Sequence, residues 1–158
     1  MLSEVFGLDR TDDGVPAFDF RVASPEPGAA LNVGNGVTIA APHSLEDCRD
    51  VDLVAIPGGS TSGDYPSEIL ETLRTVVDNG GRVLTVCSGA FVAGAAGLLD
   101  GRRCTTHWRY GAKLGRMYPQ ARVDTDVLFV DDGPITTSAG TAAGIDAALQ
   151  LVRESWGP

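Results

Sequence analysis

The sequence predicts an α/β domain in three layers, with a mostly parallel sheet covered by helices on both faces. Two observations predict it. Short β-branched runs such as Asp52 to Ile56 and Arg82 to Val86 alternate along the chain with helical stretches. The 158 residues, 43% apolar and 21% charged, suit one globular domain with one core, spanning 1–158.

Taken in order, Leu2 to Leu8 reads as a short helix, and Phe18 to Ala23 alternates as a strand that stops at Ser24-Pro25-Glu26-Pro27-Gly28. Asn35-Gly36 is a turn signal, with a strand from Val37 to Ala40 after it. Asp52 to Ile56 is a short buried strand closed by Pro57-Gly58-Gly59. Pro66 to Asn79 is a helix: proline fits the first turn, Gly80 fits the position past the end, and Ile69, Leu70, Leu73, Val76 and Val77 share a face. Arg82 to Val86 is a strand that runs directly into a small-residue helix from Ser88 to Leu99. Cys104 to Thr106 follows as a strand and His107 to Met117 as a helix. Val127 to Val130 and Ile135 to Thr137 form a hairpin around Asp131-Asp132-Gly133. A last helix begins near Thr141 with Ile145, Ala148, Leu149 and Val152 on one face.

The bulk numbers exclude several classes. A formal charge of −9 repels phosphate backbones, so the chain alone is not expected to bind nucleic acid. Cys48, Cys87 and Cys104 show neither metal-ligand spacing nor a disulfide framework, which fits free thiols in a reducing cytoplasm. No apolar run approaches membrane-spanning length, and Met1 to Arg10 has no signal-peptide pattern. Nothing argues for a metal or an organic cofactor.

In a parallel α/β sheet, ligands sit at the carboxyl ends of the strands. Gly58, Cys87 and His107 each follow a strand end, which puts them on one rim. Cys87 carries the strongest signal. A nucleophile between a strand and a helix stands on a sharp turn with its side chain aimed at the ligand space. The amino end of the following helix favours a thiolate, and the N–H groups of Ser88 and Gly89 face any developing oxyanion. The alternative is a structural cysteine at the end of a core strand. Gly58 and Gly59 let backbone N–H groups approach a ligand, or form a simple turn. His107 either orients the thiol and relays protons or is a packed polar residue.

These segments together resemble the ThiJ/PfpI superfamily, also described as class I glutamine amidotransferase-like. The matching pieces are Ile56-Pro57-Gly58-Gly59, Val86-Cys87-Ser88-Gly89-Ala90-Phe91, Gly97-Leu98-Leu99-Asp100-Gly101-Arg102, Thr105-Thr106-His107-Trp108 and Thr137-Ser138-Ala139-Gly140-Thr141-Ala142-Ala143-Gly144-Ile145-Asp146. The resemblance implies a flavodoxin-like three-layer sandwich. It implies Cys87 and His107 as catalytic-type positions, and Gly58, Gly59, Ser88 and Gly89 as ligand-binding ones. Two branches share this wording: the amino-terminal, ligand-sensing and dimerising domain of AraC-like transcription regulators, and isonitrile hydratase. Leu2 to Arg10, Phe18 to Val22 and Leu128 to Gly133 resemble the regulators more closely. The implied partners are a small-molecule ligand and a second copy of the chain.

The family opens with a central strand and an acidic turn that hydrogen-bonds the cysteine. This chain begins at the following helix, with Glu4 as the nearest acid, and no basic helix pair follows Trp156-Gly157-Pro158. The resemblance therefore implies a sheet with a gap that a partner could fill. It also implies an elbow cysteine without its usual acid, and no specific DNA contact from this chain. Peroxide sensing by Cys87 is a third use compatible with the first.

Overall fold

The computed structural model describes residues 1–15 and 17–157. In chain order, α1 covers Leu2–Phe6, β1 Ala30–Gly34, β2 Val37–Ala40, β3 Leu53–Ile56, α2 Ser67–Asp78 and β4 Arg82–Val86. There follow α3 Ala90–Ala95, β5 Arg103–Cys104, α4 Gly111–Met117, β6 Arg122–Val123, β7 Phe129–Asp132, β8 Ile135–Ser138 and α5 Thr141–Trp156. The central sheet has the order β3-β4-β8-β7, parallel except for the β7–β8 hairpin.

Successive residues of a strand point to opposite faces, and β4 shows what that does. Val83 joins Leu73, Phe91, Leu99, Leu114 and Ile135 in a core under α2, α3 and α4. Leu84, its neighbour, joins Phe6, Ala147, Ala148 and Leu151 under α1 and α5. One strand thus serves two cores, giving three layers. With four of its five residues buried, β4 is a rigid base for whatever follows Val86.

The helix from Pro66 forms as its pattern predicts: Leu73 and Val76 are buried, and Gly80 N–H and Gly81 N–H close it on Val77 O and Val76 O. Three expectations change. Phe18 to Ala23 builds no strand; its only bridge joins Ala23 to His43, while Phe18 packs edge-on against Phe6 at 5.5 Å. Of the alternating Phe18, Phe20 and Val22, the first and last are half-buried and Phe20 is 37% exposed. Ser88 to Leu99 is helical only to Ala95, preceded by a 3₁₀ turn over Cys87–Gly89. On α5 Ala143, Gly144, Ala147, Ala148 and Leu151 are buried, whereas Ile145 and Leu149 are 40% and 47% exposed. Gly144 lies against Met1 Sδ and Val86 Cγ1, so the first turns of the helix seat on small residues, where close approach is possible, with Ile145 and Leu149 outward and Leu151 and Val152 on the core further along. β1 was not anticipated. Its Ala-Leu-Asn-Val-Gly has little β propensity, and pairing with β2 across the Asn35-Gly36 turn makes it a strand.

Candidate functional site

Cys87 stands at the carboxyl end of β4 with φ 57°, in the left-handed region, which costs a residue with a Cβ roughly 1–2 kcal/mol. The surroundings hold it there. Thr106 Oγ1–H donates to Cys87 O at 2.7 Å. Gly89 packs so closely on the β3 exit that a Cβ would lie 2.5 Å from Ile56 O. Gly140, just past β8, faces the cysteine, and a Cβ there would come within 3.1 Å of Cys87 Cβ and 3.4 Å of Sγ. The backbones of Gly58 and Gly140 therefore border the cysteine, and the residue is half-buried.

The structure brings Gly58, Gly59, Ser88 and Gly89 to this rim. A Cβ on Gly58 would sit 3.4 Å from both Cys87 Cβ and Ser88 Oγ. Ser88 Oγ–H donates to Gly59 O at 2.9 Å, and Gly59 N–H donates to Ser88 Oγ at 2.9 Å. This reciprocal pair clamps the β3 exit loop to the elbow. It also occupies the Ser88 hydroxyl and the Gly59 N–H, the second of these a donor expected to meet a ligand. The loop beyond is tied as well: Tyr65 O–H donates to Ser60 O at 2.7 Å, and Lys113 Nζ donates to Thr61 Oγ1 at 2.8 Å.

His107 reaches the same rim because Thr105 and Thr106 run behind the elbow, Thr105 N–H donating to Thr137 Oγ1 at 2.8 Å. His107 Nδ1 accepts the Arg109 N–H at 3.3 Å, which leaves the proton of a neutral ring on Nε2. The imidazole lies beside Trp108 and Tyr110, with centroids at 5.5 and 5.8 Å. Among the described residues the Cys87 thiol makes no hydrogen bond, to His107 or to a carboxylate. Glu4 is turned away onto Arg10 at 3.0 Å. Trp108 is 71% exposed, an aromatic surface at the edge of the site.

The other thiols are placed differently. Cys104 is fully buried on β5, and burial foremost, with Asp132 second, pushes its thiol up to about 11. Burial, then Asp47, raises the Cys48 thiol. Sequence reasoning missed Thr106 and Gly140 as supports of the elbow. Gly140 had a signal in Ser138-Ala139-Gly140, small residues between a strand and a helix. Thr106 had none, because nothing local says its hydroxyl meets residue 87.

Known proteins fit this geometry. The sequence profile of the DJ-1/PfpI family matches residues 16–154. Isonitrile hydratase of Pseudomonas putida is 37% identical over 124 residues, 75% of this chain and 52% of that protein. The HTH-type transcriptional regulator CdhR of Pseudomonas aeruginosa is 34% identical over 142 residues, 89% of this chain and 42% of that protein. The chain thus spans about half the length of the curated relatives it matches. The crystal structure of an AraC family transcriptional regulator from Pseudomonas putida superposes with a TM-score of 0.80 at 25% identity, covering 99% of this chain and 82% of that one.

Proposed function

This chain belongs to the DJ-1/PfpI family, and from that membership we propose that it is the ligand-sensing and dimerising domain of an AraC-like transcription regulator. One observation carries the reading. Likeness to regulators runs through 89% of the chain in sequence and 99% in structure, taking in the flanks as well as the elbow. In this reading Cys87, Gly58, Gly89 and the His107–Trp108 edge line the place where a small metabolite binds. Ser88 and Gly59 fix the shape of that place.

A second reading, a cysteine-dependent hydratase, is favoured by the 37% identity to isonitrile hydratase. There the Cys87 thiolate adds to the terminal isonitrile carbon, that carbon takes a proton, and water displaces the thiolate to leave the N-substituted formamide. The proton needs a positioned acid. The one nearby acid of the opening helix, Glu4, is engaged by Arg10 instead. The two readings separate on turnover. The sensor forms no formamide from an aliphatic isonitrile, with Cys87 or with Cys87→Ala. Formamide production that disappears in Cys87→Ala overturns the sensor reading.

A further inference from the structure

Charge is unevenly spread along the chain. Residues 101–123 carry six of its 12 basic residues and none of its 21 acidic ones. From His107 on, that stretch borders the rim and then forms α4. Arg109, Lys113 and Arg116, spaced four and three apart, fall along one side of the turn and helix. Arg102 and Arg103 are taken up by Asp132 and Asp124, whereas Arg109, Lys113 and Arg116 enter no ion pair among the described residues. We propose that Lys113 selects the charge of the ligand, and that the metabolite is a small monoanion of the carboxylate type. This rests on the metabolite-sensing part of the reading above and names the class of metabolite.

Lys113, the only lysine of the chain, is half-buried. Its Nζ donates to Thr61 Oγ1 at 2.8 Å, just past the Gly59 that is clamped to Ser88. It also stands 5.8 Å from the centre of the Phe91 ring, which follows the elbow on α3. Phe91 meets Tyr110 edge-on at 6.2 Å, and Tyr110 lies 5.8 Å from His107, so ring contacts join the ammonium to the imidazole at the rim. An ammonium donates through several N–H groups, and Thr61 takes one. Half-burial strips water from the others, and the ring face returns only part of that loss. Asp64, the one acid from Gly58 to Tyr65, forms no ion pair among the described residues. A ligand anion supplies the missing counter-charge. It is small, because the ammonium lies between Thr61 and the Phe91 ring. It is singly charged, because the Gly59 N–H and the Ser88 hydroxyl are spent on each other, which leaves too few donors for a phosphate ester. Arg109 and Arg116, both exposed, add the local field that draws an anion to a chain of net charge −9.

Two alkylating reagents of nearly equal size, the anion iodoacetate and the neutral iodoacetamide, test this on the whole native chain near neutral pH, with Cys87 followed by peptide mass spectrometry. The rate ratio of anion to amide at Cys87 is expected to exceed the ratio in the denatured chain about three- to tenfold. That excess should fade between about 0.02 and 0.5 M salt, as screening requires. Lys113→Met is expected to remove it and Lys113→Arg to keep it. Thr61→Val deletes the loop bond but not the charge, and is expected to keep it too. The wild-type ratio decides even if Lys113→Met does not fold. A native ratio at or below the denatured one overturns the anion assignment, and so does an excess that survives in folded Lys113→Met. An equal loss in Thr61→Val also overturns it, because Lys113 then only straps the loop. All three leave the sensor reading standing. A Cys87 that neither reagent modifies overturns the ligand space itself, and this assignment with it.

Discussion

Replacing Cys87 by glycine is expected to stabilise the domain relative to Cys87→Ala. The backbone at 87 has φ 57°. Holding a Cβ in that region costs roughly 1–2 kcal/mol, and glycine removes the cost. Glycine also loosens the unfolded chain, which takes back about 0.4–1 kcal/mol. The difference leaves on the order of 0.5–1 kcal/mol in favour of Cys87→Gly. For a domain of this size 1 kcal/mol moves Tm by about 2–4 °C, so Cys87→Gly should melt about 1–4 °C above Cys87→Ala. Using alanine as the reference cancels the loss of the thiol. Differential scanning calorimetry at neutral pH reads the difference directly. If Cys87→Gly melts at or below Cys87→Ala, the elbow is not strained, and the claim that its surroundings hold the cysteine up against its own preference fails.

Other expectations follow from the same geometry. Gly89→Ala puts a Cβ 2.5 Å from Ile56 O and 3.0 Å from Pro57 O, both backbone atoms that cannot swing aside. A loss of about 1–3 kcal/mol is expected in urea unfolding, and a change under 0.5 kcal/mol would contradict the packing. At the far end of β4, Arg82 bridges Asp131 and Glu154. Hydrogen bonds from Gln150 first and Arg82 second hold the Glu154 carboxyl below its usual range. A lowered carboxyl contributes stability that is present above the unfolded-state value near 4.3 and is lost as pH falls through the folded one. Arg82→Met should therefore cost up to about 1 kcal/mol near pH 7, the partners being partly exposed. The gap to wild type should close below about pH 4, and a gap that widens on acidification would contradict this pairing.

The elements that strand and helix chemistry determine locally were legible in the sequence. Val83, Leu84 and Val86 put apolar side chains on both faces of a strand that is covered on both, and Pro66 and Gly80 bracket α2 through their own backbone limits. Cys87 at the strand exit was legible for the same reason: strand, cysteine and small residues are contiguous. What was not legible depends on contacts distant in sequence. Ala30 to Gly34 becomes a strand only through Val37 to Ala40. Phe18 to Ala23 alternates yet pairs only at one bridge. On α5 the expected face holds for Ala148 and Val152 but not for Ile145 and Leu149, because hydrophobicity ranks those two above Gly144 and Ala147, while the sheet selects small side chains that allow close approach. At the site, position alone does not show that the Gly59 N–H and the Ser88 hydroxyl bond each other, a pairing that leaves the backbone N–H of Ser88 aside.

The most direct measurement is the rate at which each cysteine of the native chain reacts with iodoacetamide near pH 7.5, followed by peptide mass spectrometry. A thiol at the open rim must be reachable. Cys87 is predicted to be alkylated in the folded protein while Cys104, buried and pushed up to about 11, reacts only after denaturation. Native protein that leaves Cys87 unmodified, or labels Cys104 as fast, would contradict a ligand space at the carboxyl end of the sheet.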